Sequence, residues 1–335
     1  MLRHLDARHD RFGLSAPFRI SRGVKTAADV VTVTIAQGDA VGRGEGVPYP
    51  RYGETIDHAL AEIASVAPLV AQGLSRDELA GTMPPGAARN AVDAALWDLE
   101  ARLAGTTVAA LAGLAEPIAV ASAITIGIDA PDAMAAVAAR SAHVPLLKIK
   151  VDRQHAEAQI AAVRAAARNP RLIVDPNESW SIQEVSRLQD FLVAHRVDLL
   201  EQPLRAGEDG ALAGFASRIP LCADESLHTA DDLDSLAGRY AYVNVKLDKT
   251  GGLTEAVSLA DAAKAKGFGL MVGCMVCSSL GIAPAMLLAG GAAFVDLDGP
   301  LWLTEDRPGG VVDRDGMLSP PLPGFWGPGF WETPA

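Results

Sequence analysis

The stretch Leu146-Leu147-Lys148-Ile149-Lys150-Val151-Asp152 sets two lysines one residue apart inside an apolar run. In a strand, residues i and i+2 point to one face, so both ammonium groups enter the same interior. A lone ammonium there is costly or sheds its proton. Such a pair suits proton transfer, because lysine is a base near neutral pH only when its pKa is lowered. Further on, Asp175, Glu201, Asp224 and Lys246 each fall at the end of an apolar run, and from Lys150 onward the intervals are 25, 26, 23 and 22 residues. Three carboxylates at one phase of a repeat make a hard oxygen-ligand set that suits Mg²⁺ and leaves positions for substrate. Asn177 and Glu225 stand beside them as supports. Lys150 is the expected base, opposed by Lys246. Lys148 is expected to lower the pKa of Lys150 and to reach a substrate carboxylate. A structural pairing of Lys148 and Lys150 with Asp175 or Glu201 also satisfies two buried amines, but it leaves Lys246 unexplained.

A regular frame must deliver these residues to one place. Apolar runs occur at 119–127, 146–151, 171–177, 197–203, 220–226, 242–248, 269–274 and 294–299, with gaps each long enough for a helix. Continuous apolar runs alternating with helices indicate a parallel sheet covered on its outer face. Eight such units predict a modified TIM barrel, (β/α)7β, with the chemistry at the carboxyl ends of its strands. The eighth helix is missing, since GPLWLTEDRPGG follows the last run. Residues 1–112 read as a separate α+β capping domain, with antiparallel strands up to PYP at 48–50 and helices near 55–72 and 84–104. The barrel domain spans 113–311, and a Gly/Pro/Trp-rich tail, about 312–335, is expected to pack back on the cap.

The 335 residues carry a net charge of −12, which argues against nucleic acid and anionic membrane as partners. No apolar run approaches a membrane span, and the N-terminal MLRHLDARHD has no secretory apolar core, so the expectation is a cytoplasmic protein with a small-molecule substrate. A homo-oligomer is compatible with the sequence. Cys222, Cys274 and Cys277 make no disulfide framework, and Cys274-Met-Val-Cys277 reads as buried thiols.

KIK, VDPNES, LEQP, CADES and VNVKLDKTGG together resemble the enolase superfamily in its muconate-lactonizing-enzyme branch. That resemblance implies two base lysines, three metal acids, a capping domain and a barrel without its last helix. Within the branch, Asp296-Leu-Asp298 is similar to the Asp-x-Asp by which dipeptide epimerases hold a free α-ammonium. PYPRYGET, PPGAARNAVDAALWDLEAR and GCMVCSS extend the likeness to the L-Ala-D/L-Glu epimerase group, which acts on a murein-derived dipeptide. The resemblance implies 1,1-proton transfer at the α-carbon of the C-terminal residue, through an enediolate stabilised by Mg²⁺, with Asp296 and Asp298 at the amino end. Thr125 is similar in position to a substrate-contacting residue. An acidic second residue calls for a cation from the cap, with Arg22, Lys25 and Arg51 as candidates. Relatives should carry arginine near position 25, where this chain has Lys25. The alternatives are an N-succinylamino acid racemase or o-succinylbenzoate synthase of the same branch, or a non-catalytic barrel.

Overall fold

The computed structural model describes residues 2–329. The alternating N-terminal stretch forms an antiparallel sheet of β1 (His4–Ile20), β2 (Gly23–Gln37) and β3 (Ala40–Gly46). β1 and β2 join through Ser21 and Arg22, with Ile20 opposite Gly23. Helix Ala87–Ala104 lies directly on β3 because Gly42, Gly44 and Gly46 face it. A Cβ added at these positions would stand 2.1 Å from the carbonyl oxygens of Ala95, Ala91 and Ala87, respectively. Two residues of strand and four of helix advance by similar lengths, so glycine and alanine stay matched along the contact. Helix Ile56–Ala71 completes the cap, setting Ile63 into a cluster with Val31, Val33, Ile35, Leu96 and Leu99.

A two-residue strand, β4 (Val120–Ala121), precedes the barrel. The barrel strands are β5 (Ile124–Ile126), β6 (Leu146–Lys150), β7 (Arg171–Asp175), β8 (Leu199–Glu201), β9 (Leu221–Ala223), β10 (Tyr242–Val245), β11 (Gly269–Gly273) and β12 (Phe294–Asp296). They pair in parallel in chain order. Ala123 N donates to Val295 O at 2.8 Å and draws the last strand to the first, so the barrel is nearly closed. Ala123, Leu146, Ile173, Leu199, Cys222, Met271 and Phe294 form one apolar layer of the interior. The opposite end of the barrel is polar.

The gaps are less uniform than the sequence reading expects. Between β8 and β9 the chain forms only a 3-10 turn, Asp209–Leu212, and between β9 and β10 the only α-helix is Leu233–Leu236. Gly207 and Gly214 sit at φ 85° and 74° around the first of these turns, conformations that interrupt an α-helix. After β12 there is a 3-10 turn, Gly299–Trp302, and no eighth helix among the described residues. The tail first forms β13 (Val312–Arg314) and β14 (Met317–Ser319), which pair with each other, and β14 pairs with β4. Trp326 Nε1 then donates to Arg43 O (3.1 Å) and Ala94 O (3.2 Å), and Gly327 N to Asp98 Oδ1 (2.7 Å). Residues 330–335 of the expected tail lie outside the described residues.

Cap and barrel are joined by buried polar contacts around the turn Leu247–Thr250 that follows β10. Asp248 Oδ1 accepts from Val47 N at 2.9 Å and Asn90 Nδ2 at 2.8 Å. Arg89 donates to Thr250 O at 2.5 Å and Gly251 O at 3.1 Å. Arg307 pairs with Glu45 at 2.8 Å and Asp10 at 3.1 Å.

Candidate active site

A cavity of about 460 Å³ lies between the polar end of the barrel and the cap. Thr125, Lys148, Lys150, Asp224, Lys246, Asp296 and Asp298 line it from the barrel, and Phe18, Arg22, Lys25, Tyr49, Arg51 and Tyr52 from the cap. The strand ends place the barrel residues: Lys148 and Lys150 both belong to β6, Asp175 ends β7, Glu201 ends β8, and Asp224 and Lys246 immediately follow β9 and β10.

The acids and amines pair in two groups, Lys148 and Lys150 with Asp175, Glu201 and Asp296, and Lys246 with Asp224. Lys148 Nζ lies 2.7 Å from both Glu201 Oε2 and Asp296 Oδ2, and 3.4 Å from Asp175 Oδ2. Lys150 Nζ is 2.5 Å from Asp175 Oδ2, and Lys246 Nζ is 2.7 Å from Asp224 Oδ2. The structural pairing left open by the sequence is therefore present, and it includes Lys246. Among the described residues no three Asp, Glu, His or Cys side chains are drawn together as a metal cluster; each carboxylate is turned onto an ammonium instead. A cation still fits the set. Asp175, Glu201 and Asp224 are at most 2% exposed, and Glu201 Oε2 accepts no hydrogen bond despite the nearby Lys148. Burial, with Asp175 and Asp224 adding to it against the pull of Lys148, pushes Glu201 up to about 7. Three mutually repelling, desolvated carboxylates are a site for a hard dication.

The supports are as close as their sequence positions imply. Asn177 N donates to Asp175 Oδ1 at 2.8 Å, and Asn177 Nδ2 reaches Asp175 Oδ2 at 3.1 Å and Glu225 Oε1 at 3.4 Å. Asn177 and Glu178 adopt positive φ, 46° and 68°. These sparsely populated conformations aim the loop after β7 at the cap.

The expected lowering of Lys246 is not what its surroundings give, and Lys148 behaves alike. Burial lowers Lys148 and Lys246, but Asp296 and Glu201 for the first, and Asp224 for the second, raise them more, and both end above the usual lysine range.

The two aspartates after Val295 differ. Asp296 is committed to Lys148. Asp298 Oδ2 accepts from Thr125 N at 2.7 Å and from Trp302 Nε1 at 3.4 Å. Burial and the neighbouring Asp296 push Asp298 up to about 7. Thr125 Oγ1 also lies 3.4 Å from Asp296 Oδ1, so Thr125 supports both acids.

Of the three cap cations, two are spoken for. Arg51 makes a two-pronged contact with Glu178 at 2.7 and 2.8 Å. Arg22 reaches Glu178 at 3.0 Å and Glu225 at 2.7 Å. Lys25 stands over the Tyr49 ring, 4.7 Å from its centroid, and burial lowers its pKa. His228 packs edge-on against Tyr52, its backbone N–H bonded to Asp232. One buried amine escaped the sequence reading: Lys249, inside VNVKLDKTGG, donates to Asp224. Its place three residues after Lys246 was the available signal.

Fold and site together define a racemase or epimerase of the enolase superfamily. Residues 4–113 match the mandelate racemase / muconate lactonizing enzyme N-terminal domain, and 132–329 the enolase C-terminal domain-like family. The chain belongs to the mandelate racemase / muconate lactonizing enzyme family. It is 47% identical to the L-Ala-D/L-Glu epimerase of Escherichia coli K12, over 88% of this chain and 92% of that one. It is 44% identical to the N-acetyl-D-glutamate racemase of a Pseudoalteromonas species, over 89% and 95%. An enolase family member from Agrobacterium tumefaciens, with homology to dipeptide epimerases and solved with sodium and L-Ala-L-Glu, superposes with a TM-score of 0.95 at 49% identity, covering 97% of this chain and all of that one. A dipeptide epimerase from Cytophaga hutchinsonii, complexed with Mg and D-Ala-L-Val, superposes at 0.89 with 27% identity, covering 96% and 94%.

Proposed function

We propose that the chain is a dipeptide epimerase acting on L-Ala-D/L-Glu, inverting the α-carbon of the C-terminal residue. The observation that carries this reading is one cavity lined together by Lys150, Lys246 and Asp298 of the barrel and Lys25 of the cap. Asp175, Glu201 and Asp224 would hold Mg²⁺, whose charge stabilises the enediolate produced by deprotonation. Lys150 and Lys246 take opposite faces of the α-carbon, one removing its proton and the other returning a proton to the other face. Lys148, anchored by Asp296, Glu201 and Asp175, lies beside the substrate carboxylate. Asp298, oriented by Thr125 and Trp302, receives the α-ammonium, and Asp296 adds negative potential behind it. Lys25 is the cap cation left for the side chain of a C-terminal glutamate, and as a point charge it reads that carboxylate less strictly than arginine. The capping unit, 1–112, thus selects substrate and the barrel, 113–311, performs the chemistry. Among the described residues no helix is long and apolar enough to cross a membrane. The cysteines are free, and we place the enzyme in the cytoplasm.

A second reading, an N-acylamino acid racemase, draws on the pairing of Asp296 with Lys148, which leaves a single acid to repel an acylated amino end. Incubation in D₂O with a panel of free and N-acetylated dipeptides and N-acylamino acids, followed by proton NMR of the α-position, decides between the two. Deuterium entry and inversion in free dipeptides only supports the dipeptide assignment; reaction confined to N-acyl substrates overturns it.

A further inference from the structure

We propose that Lys249 is the positioning residue of Asp224: a buried internal counterion that fixes this carboxylate for metal binding, distinct from Lys246 in the cavity wall. The inference rests on the metal assignment above and not on the dipeptide reading. Asp224 has two ammonium partners. Lys246 Nζ is 2.7 Å from Oδ2, and Lys249 Nζ is 2.7 Å from Oδ1. These two lysines are not equivalent. Lys246 lines the cavity, where a base must stand. Lys249 is absent from that lining and only 2% exposed. An ammonium has three hydrogens to donate. Those of Lys249 meet three acceptors, Asp224 O at 2.5 Å, Asp224 Oδ1 at 2.7 Å and Asn244 O at 3.0 Å. With every donor placed and no path to substrate, Lys249 can neither give nor take a proton during turnover.

Its contacts instead define how Asp224 is presented. Binding the carbonyl and Oδ1 of one residue pins the Asp224 side chain against its own backbone and leaves Oδ2 to Lys246, which lines the cavity. The third bond goes to Asn244, whose side chain donates to Glu201 Oε1 at 2.9 Å. Two of the three metal carboxylates are thereby held from one buried residue pair. Lys249 also lies in the turn Leu247–Thr250, beside Asp248. That neighbour binds Val47 N and Asn90 of the cap. Adjacent side chains of one short turn thus grip the cap and a metal acid.

Positioning and simple charge balance predict opposite results. If Lys249 only neutralised Asp224, its removal would take a positive charge away from an incoming dication and tighten binding. If it positions Asp224, removal loosens binding. The test is calorimetric titration of the full-length, metal-stripped protein with Mn²⁺ alone, for the unmodified chain, Lys249→Met and Lys249→Gln, with melting temperatures before and after metal. We expect Lys249→Met to bind Mn²⁺ at least about tenfold more weakly, the scale seen when a ligand loses its orienting partner. Lys249→Gln, which keeps N–H donors, should fall between Met and the unmodified chain. Equal or tighter Mn²⁺ binding by the folded Met variant overturns the proposal. So does the failure of both variants to fold without metal, which would make Lys249 a scaffold residue. No Mn²⁺ binding by the unmodified chain would overturn it through the metal assignment itself, while the dipeptide assignment would still be read by deuterium exchange.

Discussion

Lys148 and Asp296 meet across the seam of the barrel, Nζ to Oδ2 at 2.7 Å. One comes from β6 and the other ends β12, with β5 between them. The contact divides the labour of the Asp296-Leu-Asp298 pair. Asp296 holds a lysine, so the ammonium of a dipeptide falls to Asp298. Asp298→Asn should therefore weaken kcat/KM for free-amino dipeptides by roughly 10- to 100-fold, the worth of one charge-assisted hydrogen bond. An N-acetylated dipeptide should be a poor substrate for the unmodified enzyme. Steady-state rates for the pair with and without the acetyl group check this, and equal rates would refute it.

Removal of metal should abolish turnover, and Mg²⁺ should restore it. Glu201→Gln should lose most activity while circular dichroism stays unchanged, because burial already disfavours charge on Glu201 and the neutral amide needs no cation. Full activity after exhaustive dialysis against EDTA sinks the metal assignment.

Lys246→Ala should stop epimerisation in both directions. The isomer whose α-proton faces Lys150 should still exchange that proton for deuterium, with retention. Lys150→Ala should leave exchange of the other isomer alone. Proton NMR in D₂O reads both. Normal epimerisation by either variant would falsify the two-base mechanism.

Lys25→Met should cost the Glu-terminated dipeptide far more than one ending in Val, roughly 10-fold or more if a charge-assisted bond is lost. Competition between the two substrates measures the ratio, and an unchanged ratio means that the side-chain carboxylate is read elsewhere.

Asp248 makes a pH-dependent contribution to stability. Burial pushes its carboxyl up to about 7 from an ordinary value of 3.8. Between those values the folded chain keeps a proton that the unfolded chain has released, so stability is greatest below about pH 4 and falls until about pH 7. The full swing is on the order of 4 kcal/mol. Asp248→Asn keeps the carbonyl that accepts from Val47 and Asn90 but cannot ionise. The melting temperature of the unmodified protein should fall relative to this variant from pH 5 to pH 8; a constant difference refutes the assignment.

The eight strands were legible in the sequence because a strand buried on both faces is a continuous apolar run, and the polar residue that ends each run marks the barrel mouth. The triad Asp175, Glu201 and Asp224 and the lysines Lys150 and Lys246 follow from that phase, and Lys148 from the strand alternation beside Lys150. The fourth gap has the length of a helix but lacks one, because Gly207 and Gly214 turn the chain before a helix can form. The commitments of Arg22 and Arg51 were invisible, since Glu178 lies 127 residues beyond Arg51 and its aim depends on a left-handed backbone at a non-glycine residue. Lys249 was passed over because its spacing follows a helical turn, not the strand alternation that drew attention to Lys148 and Lys150.

Gly42, Gly44 and Gly46 act as a thickness gauge. The helix they admit carries Arg89 and Asn90, which grip the turn at 248–251, and the sheet they belong to carries the Ser21-Arg22 tip that hangs over the mouth. A single methyl at Gly44 would stand 2.1 Å from Ala91 O and would have to wedge helix from sheet, changing the angle between grip and tip. The height of the chamber over the barrel mouth is therefore set by three hydrogens in the strand–helix contact of the cap, none of them on a residue that lines the cavity.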